Sequence, residues 1–262
     1  MITLKAPAKV NLFLAIHGKD ASGYHEIETV FARVPELADE IHLEPAEKLQ
    51  IEFIPSEGID PNHNTLTKAL ELLRARTGQE FHYKITVHKK IPPRSGLGGA
   101  SSDAASLLLH LNEERKLGLT RAELETLGAE VGMDVPFFIS EAPTALGTHY
   151  GEHITPLNPL PKNLKIEVEP RIKTMSTESA YALWDAQEKT PGPTAKQFLS
   201  ALQNGYTPGI IQASTNDFQR IFPLDEAIQN PTDLSQKIIL AGSGASRVLL
   251  ANTDSKLFNG GI

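Results

Sequence analysis

The stretch from Pro92 to Ala105, PPRSGLGGASSDAA, constrains the fold of this chain more than any other segment. It places Gly96, Gly98 and Gly99 close together, directly before two serines and a run rich in Ala and Leu. Glycine lets backbone N–H groups converge on an anion, and a helix that begins there adds the positive end of its dipole. The GK[ST] ending of a P-loop is missing. The stretch therefore predicts either a phosphate-binding loop of another kind or a tight turn between a strand and a helix.

The composition excludes several classes of site. The 262 residues include 25 basic and 32 acidic side chains, a net charge of −7, and no cysteine, which rules out disulfides and thiolate chemistry. No apolar run reaches the roughly 18–20 residues that span a bilayer, and we interpret the apolar N-terminus as a strand rather than a signal peptide. We expect a cytoplasmic protein without nucleic-acid or membrane partners, either a monomer or a weak homodimer.

The first strand shows the alternation of a sheet with two different faces. One face carries Val10, Leu12 and Leu14, and the other carries Lys9 and Asn11. A strand face with Lys and Asn either meets water or belongs to a working site. This segment alone leaves both possibilities open.

Periodicity and turn chemistry predict the remaining elements. Strands are expected at 26–31, 41–43, 49–54, 81–87, 164–168, 237–240 and 247–250. Helices are expected at 65–77, 101–111, 120–131, 177–184, 193–204 and 210–222. Residues 132–138, GMDVPFF, are expected to end a helix and lead into a strand, with a glycine turn at 146–151. Prolines at 159 and 161 suggest a boundary between domains 1–158 and 159–262, and the order of elements predicts an α+β fold.

The glycine-rich stretch resembles the phosphate loop of the GHMP kinase superfamily. Two further motifs occur in the order of that superfamily, APAKVNL at 6–12 and AGSGA at 241–245. The resemblance implies a two-domain GHMP-kinase-like fold with the active site in the cleft between the domains. It also implies ATP and Mg²⁺ as cofactors, and a second glycine loop at Gly242 and Gly244 that packs beside the active site.

One branch of the superfamily is the most similar. Its motifs match GYHE at 23–26, GMDVPFF at 132–138 and GEHITP at 151–156. Members of that branch phosphorylate the position-2 hydroxyl of a cytidine diphosphate-linked methylerythritol in the non-mevalonate isoprenoid precursor pathway. The resemblance covers residues 2 to about 250, and the family usually continues through another helix and strand. The C-terminal domain is therefore expected to be trimmed at its end.

The resemblance implies two catalytic residues. Asp134 would accept the proton of the substrate hydroxyl, and Lys9 would stabilise the developing charge. Taken alone, without the other motifs, Asp134 is better explained as a cap that ends a helix, and Lys9 as a solvated strand lysine.

The resemblance also implies a substrate-binding set. Asn11 would hydrogen-bond the substrate, and Tyr24 and His25 would recognise the base by stacking and by a polar contact. Thr177 and Tyr181 would close over the cytidine from the second domain. The alternative for Tyr24 and His25 is a buried Tyr-His pair in a hairpin. The alternative for Thr177 and Tyr181 is an ordinary helix N-terminus with an apolar tyrosine.

On the nucleotide side, the resemblance places Asn64 and Lys89 near adenine. The implied contacts to ATP from the loop are Pro92, Arg94, Ser95, Gly96, Leu97, Gly98, Gly99, Ala100, Ser101, Ser102 and Asp103. Ser102 is also the implied Mg²⁺ ligand. Arg94 and Ala100 stand where the family usually has glycine, and Arg94 would either crowd the phosphates or add a charge-assisted contact.

Two rival functions remain open at this point. One is a different GHMP small-molecule kinase, such as an enzyme acting on homoserine or mevalonate. The other is a nucleotide-binding protein that has lost catalysis and acts by binding a partner. Turnover of ATP separates these two classes, and substrate choice separates the kinases.

Overall fold

The computed structural model describes residues 1–60, 63–172, 175–187, 193–224, 235–243 and 246–255. The first half contains β1 (Ile2–Lys19), β2 (His25–Pro45), β3 (Gln50–Ile54), α1 (Thr65–Thr77), β4 (Tyr83–His88), α2 (Gly99–Glu114), α3 (Arg121–Val131), α4 (Val135–Ser140), β5 (Thr144–Thr148) and β6 (His153–Pro156). The second half contains β7 (Leu164–Glu169), α5 (Thr177–Asp185), α6 (Lys196–Gln203), α7 (Thr207–Ala213), β8 (Thr215–Asn216), a 3₁₀ turn (Asp217–Arg220), β9 (Gln236–Leu240) and β10 (Arg247–Asn252).

The larger sheet is organised around the two long antiparallel strands β1 and β2. Its hydrogen-bonded order is β3-β4-β2-β1-β8, and β5 also pairs with β2 and carries β6. The first part of β2 pairs with β5, from Thr29 opposite Gly147, and the last part pairs with β4, from Glu40 opposite His88. One long strand thus supports two antiparallel branches. The register between β1 and β2 shifts in three places, one of them between Asn11 and Phe13, beside the predicted site.

Strand β1 is buried on both faces in its middle. Lys9 and Asn11 are 3% and 2% exposed, and their apolar neighbours Val10 and Leu12 are fully buried. The wet-face alternative is therefore wrong, because other parts of the chain cover both sides of this strand. A buried lysine and asparagine need polar partners, and these define the candidate site.

Helices α1 to α4 cover one face of the sheet. Asn64 caps α1 by accepting from the Thr67 N–H at 3.0 Å, and Thr120 and Glu123 form the predicted capping box of α3. Their apolar faces share one core with the strands, which includes Ile41, Leu66, Leu73, Ile85, Leu107, Leu111, Leu124 and Phe137.

The second half forms a three-stranded sheet, in the order β7-β10-β9, with helices α5 to α7. Its core continues into the first half, since Phe198, Ile210 and Val248 belong to the same apolar cluster as Val10 and Leu12. Strand β8 also pairs with β1 in the larger sheet. The division after residue 158 stays a prediction. In the described ranges, every helix is too short or too polar to cross a membrane.

Four expectations about local structure were wrong. The separate strands expected at 26–31 and 41–43 are parts of one continuous strand, β2. Residues 135–140 form helix α4 rather than a strand, because Pro136 lies in the first turn, where its missing N–H costs nothing. The helix expected over 210–222 ends at Ala213, and Asn216 then caps a 3₁₀ turn through the Phe218 N–H. Residues 144–148 form strand β5, so the turn is confined to the four residues before β6.

Candidate functional site

The glycine-rich loop is held by the first strand and ends at the N-terminus of α2. Gly96 and Gly98 have φ values of 81° and 73°, in the left-handed region that favours glycine. The backbone N–H of Lys9 donates to the Leu97 carbonyl at 2.9 Å, which joins the loop to β1. The predicted catalytic lysine and the predicted phosphate loop are therefore adjacent in space.

The loop borders a cavity of about 310 Å³. Of the predicted ATP-binding residues, those that line it are Asn64, Lys89, Pro92, Arg94, Ser95, Gly96, Gly98, Gly99, Ala100, Ser101 and Asp103. Leu97 and Ser102 do not line it. Leu97 belongs to the apolar core, and the Ser102 hydroxyl is buried with no hydrogen-bond partner in the described part of the chain.

Two glycines of the loop are needed for close packing. A Cβ at Gly98 would lie 2.9 Å from Lys9 Cγ and 3.0 Å from Phe138, and a Cβ at Gly99 would lie 2.9 Å from Ile91. Arg94 has a φ of 58°, a conformation that explains why glycine suits this position. Its side chain is exposed at the rim of the cavity.

Lys89 forms a buried cluster with two carboxylates beside this cavity. Its Nζ lies 2.5 Å from Asp39 Oδ2 and 2.7 Å from Asp103 Oδ2. Asp39 also accepts the backbone N–H groups of Lys90 and Ile91. Burial raises the pKa of Asp103 to about 7, although Lys89 acts in the opposite direction. The Lys89 ammonium is thus already bound to carboxylates, and its contact with adenine stays a prediction.

A second, larger cavity of about 920 Å³ adjoins the first. Gly96, Gly98 and Ser101 line both cavities. All the residues predicted for catalysis or for binding the phosphate acceptor line the larger one, namely Lys9, Asn11, Tyr24, His25, Asp134, Thr177 and Tyr181. These residues come from both halves of the chain.

Lys9 and Asp134 form an ion pair on the wall of the larger cavity. Lys9 Nζ lies 3.1 Å from Asp134 Oδ2 and donates to Asn11 Oδ1 at 2.7 Å. The Asn11 amide donates to the Thr29 hydroxyl, which in turn donates to the Phe13 carbonyl, each at 2.8 Å. This chain of donors fixes the orientation of the Asn11 amide.

Asp134 lies between helices α3 and α4, not between a helix and a strand as expected. It is the N-cap residue of α4, but its side chain makes no capping hydrogen bond. The alternative of a helix-ending cap is wrong as well, because α3 ends at Val131 and its C-cap residue is Gly132. The Asp134 side chain is 33% exposed, so its carboxylate is accessible from the cavity.

His25, the first residue of β2, packs against α5. Its ring stacks on Tyr181 with centroids 4.4 Å apart, meets Trp184 edge-on at 5.6 Å, and bonds Asp185 Oδ1 through Nε2 at 2.8 Å. Burial and the nearby Asp134 charge raise the pKa of Tyr181. The Tyr181 hydroxyl is therefore neutral near pH 7 and can donate a hydrogen bond.

Tyr24 differs from its neighbour because it is 58% exposed. Of the two residues, only His25 is buried, so they do not form the buried Tyr-His pair of the alternative explanation. The Tyr24 ring lies 5.1 Å from that of Tyr150, whose hydroxyl donates to Asp20. Hydrogen bonds from Ser22 and Tyr150 lower the pKa of Asp20 to about 2. The two tyrosines form an open aromatic rim on the larger cavity.

Part of the AGSGA motif at 241–245 also lines the larger cavity, through Gly242 and Ser243. A Cβ at Gly242 would lie 3.0 Å from the Gly96 carbonyl and 3.4 Å from Asn11 Oδ1, so this glycine allows the two loops to touch. The Thr177 hydroxyl bonds that of Ser243 at 2.9 Å. Gly244, predicted to join the same loop, lies outside the described residues.

Sequence reasoning missed several residues that line the larger cavity, among them Lys19, Tyr150, Asp185 and Ser243. Asp185 follows Tyr181 by four positions on α5, a spacing that places both on one helix face. That signal was available. Tyr150 carried no comparable signal, because its place depends on the hairpin between β5 and β6.

The fold and the loop define a GHMP kinase. Residues 64–142 match the family model described as the GHMP kinases N terminal domain. The fold is also that of Streptococcus pneumoniae phosphomevalonate kinase in complex with phosphomevalonate and AMPPNP, with a TM-score of 0.67, 13% identity, and coverage of 96% of this chain and 92% of that one. The predicted α+β GHMP-kinase-like fold is confirmed.

A narrower family follows from closer relatives. The chain is 33% identical to the 4-diphosphocytidyl-2-C-methyl-D-erythritol kinase of Bacillus pumilus, over 98% of this chain and 91% of that one. It is 34% identical to the enzyme of the same name from Chloroherpeton thalassium, over 98% and 88%. A crystal structure of 4-(cytidine 5'-diphospho)-2C-methyl-D-erythritol kinase matches with a TM-score of 0.75 and 31% identity, over 95% and 90%. The chain belongs to the 4-diphosphocytidyl-2-C-methyl-D-erythritol kinase family.

Proposed function

We propose that this chain transfers the γ-phosphoryl group of ATP to the position-2 hydroxyl of 4-diphosphocytidyl-2-C-methyl-D-erythritol, in the non-mevalonate isoprenoid precursor pathway. The observation that carries the proposal is the ion pair of Lys9 and Asp134, on the wall of the larger cavity beside loop residues that also line the smaller one. The names of the relatives support the choice of substrate.

Transfer between the two cavities requires positioning and charge stabilisation more than covalent chemistry. The Asp134 carboxylate accepts the hydroxyl proton while the substrate oxygen bonds to phosphorus and the bond from phosphorus to the ADP oxygen breaks. Lys9, fixed by Asn11 at 2.7 Å, directs its charge at the transferring group.

Mg²⁺ would be held by hydroxyl and phosphate oxygens, which are ligands that this ion prefers. Ser101 lines both cavities, and the buried Ser102 hydroxyl has no hydrogen-bond partner among the described residues. The Ser101 hydroxyl fits such an ion because it lies on the wall of both cavities, whereas Ser102 is fully buried, lines neither cavity and stays a predicted ligand. When bound, Mg²⁺ neutralises charge on the phosphates.

Recognition of cytidine is assigned to the aromatic groups around the larger cavity. The exposed Tyr24 and the half-buried Tyr150 form a rim on which a planar base can stack, and the Tyr181 ring stacks on His25 deeper in the cavity. Thr177 lines the same cavity from α5. Since a base adds contacts that a simple alcohol lacks, its loss lowers both affinity and turnover.

The test is ADP release with Mg-ATP and a panel of alcohols: diphosphocytidyl methylerythritol, methylerythritol phosphate, mevalonate and homoserine. We expect methylerythritol phosphate to react at least ~10²-fold less efficiently than its cytidylyl derivative, a loss of roughly 3 kcal/mol. Tyr24→Ala reduces this preference. Tyr206→Ala is the matched control, because Tyr206 is also 58% exposed but does not line the cavity.

Each rival function gives a different result in this assay. Preference for mevalonate or homoserine would identify another GHMP kinase. Binding of ATP without turnover of any alcohol would identify a protein that has lost catalysis. Equal kcat/KM for the cytidylyl substrate and methylerythritol phosphate would refute the assignment of cytidine recognition.

A further inference from the structure

The hairpin between β5 and β6 brings two histidines and a glutamate together. In the part of the chain that the structure describes, His149, Glu152 and His153 are the one group of three or more His, Asp or Glu residues whose potential ligand atoms converge, all within 4.8 Å of one another. His149 Nδ1 bonds Glu152 Oε1, and His153 Nε2 lies 3.6 Å from the same oxygen. The two imidazole rings are stacked, with centroids 4.9 Å apart.

The backbone holds this cluster in place. His153 pairs with Thr148 at the end of the hairpin, and the His149 carbonyl accepts the Ile27 N–H at 2.7 Å. His149 has a φ of 64°, a left-handed conformation that is uncommon outside glycine. The tight turn therefore positions His149 beside Glu152, at the other side of the turn, and His153, the first residue of β6.

The glutamate is already prepared to act as a ligand. Its Oε2 accepts the Tyr150 backbone N–H at 2.9 Å, which fixes the direction of the carboxylate. The carboxylate is 11% exposed, whereas the side chains of His149 and His153 are 37% and 67% exposed, so a metal can approach from solvent.

We propose that His149, Glu152 and His153 bind a divalent transition metal of the zinc type, with water in the fourth position. Two imidazoles and one carboxylate suit Zn²⁺, whereas Mg²⁺ prefers oxygen ligands alone. Ligand atoms around tetrahedral zinc lie roughly 3.4 Å apart, so the observed separations need only small side-chain movements. The metal replaces the proton that His149 Nδ1 and Glu152 Oε1 share, and this proton is released to solvent. The metal clamps the hairpin that carries Tyr150, at the rim of the larger cavity.

The experiment is calorimetric titration of the full-length protein with ZnCl₂ at about pH 7.5, where imidazoles are mostly neutral. Excess Mg²⁺ is present to occupy sites built from oxygen atoms. We expect one Zn²⁺ per chain, and a Tm about 5 °C higher at saturating metal. Co²⁺ in place of Zn²⁺ is expected to give the intense visible absorption of a four-coordinate site.

His153→Asn is the main variant, because this exposed side chain can change without disturbing the core. It is expected to weaken Zn²⁺ binding at least about tenfold and to reduce the Tm rise at the same metal concentration. His88→Asn is the matched control, since His42 and His88 also place two rings 4.7 Å apart but belong to no such three-residue cluster. Unchanged Zn²⁺ affinity in His153→Asn, or loss of binding in His88→Asn, would overturn the proposal.

Discussion

The two cavities each contain a lysine paired with carboxylates, but the two clusters differ in their access to solvent. Around Lys89, every member is closed in, with side-chain exposures of 5% for the lysine, 0% for Asp39 and 2% for Asp103. Around Lys9, the lysine is 4% exposed, but its partner Asp134 is 33% exposed. A closed cluster contributes to folding, whereas an open one can exchange its partner for a substrate.

The balance of charge differs in the same way. Lys89 faces two carboxylates, so the cluster carries an excess of negative charge in a buried place, and burial raises the pKa of Asp103. Lys9 faces one carboxylate and the neutral Asn11 amide. We therefore expect changes near Lys9 to alter activity, and changes near Lys89 to alter stability.

The largest expected effect is on the open cluster. Asp134→Asn keeps the shape of the side chain but removes the basic oxygen, so turnover is expected to fall between about 10²- and 10⁴-fold. ATP affinity and the free energy of unfolding change little. ADP release, nucleotide titration and urea unfolding measure the three quantities. If Asp134→Asn kept more than half of the wild-type turnover, the Lys9 cluster would not be the catalytic one of the two.

The closed cluster is expected to show the opposite pattern. Lys89→Met leaves two buried carboxylates without their cation and lowers the free energy of unfolding by about 3–5 kcal/mol. Lys90→Met is the matched control, because Lys90 pairs with Glu40 at the surface, with its own side chain 56% exposed. Urea unfolding of both variants is the measurement. Equal stability for the two would contradict a structural role for Lys89.

Asp103 gives the closed cluster a dependence on pH. Its pKa is about 7 in the folded chain, against an ordinary value of 3.8 that applies after unfolding. Between pH 3.8 and about 7, Asp103 keeps its proton in the folded chain and loses it in the unfolded chain. The stability that this proton contributes is therefore complete below about pH 4 and is lost as the pH rises towards 7. Asp103→Asn removes this slope. The measurement is the urea midpoint of the wild type and of Asp103→Asn between about pH 4 and pH 7. An equal loss of stability in both proteins would show that Asp103 does not cause the pH dependence.

A smaller effect is expected where the loop touches Lys9. Gly98→Ala adds a Cβ 2.9 Å from Lys9 Cγ, whereas Gly78→Ala, at a similar φ of 69°, meets nothing within 4 Å. Both changes cost roughly 1–2 kcal/mol of stability for the left-handed conformation. Only the first is expected to displace Lys9 and slow turnover, by about tenfold. If both variants keep full turnover, the contact between loop and lysine is not needed for catalysis.

The smallest effect is expected at Arg94. Its left-handed backbone favours glycine, so Arg94→Gly relieves strain and changes stability by about 1 kcal/mol or less. ATP affinity is expected to change by less than tenfold, because the side chain is exposed at the rim. Calorimetric titration with ATP measures this affinity. Binding weakened more than tenfold would show that Arg94 contacts the phosphates, and binding tightened more than tenfold would show that Arg94 crowds them.

The smaller cavity was largely predictable because its determinants are local in sequence. The three glycines, the serines and the helix that follows them are contiguous, and the structure keeps them together at the N-terminus of α2. The larger cavity was predictable only through the resemblance. His25 and Asp185 are 160 residues apart, and no pattern in either segment indicates that they meet.

The errors have physical causes. Residues 135–140 form a short apolar run, and periodicity alone does not distinguish a buried strand from a buried helix of that length. The sequence left open that Lys9 is a solvated lysine, because the polar face of β1 meets parts of the chain that are remote in sequence. One of them is Asp134, whose carboxylate lies 3.1 Å from the Lys9 ammonium.

Gly96, Gly98 and Ser101 line both cavities, and this shared lining has a consequence for kinetics and for inhibitor design. Two ligands that meet over one short loop can be bound at the same time, which favours a sequential, ternary-complex rate law over a ping-pong one. A single bisubstrate compound with a linker short enough to cross these three residues would gain from the high effective concentration of its second half.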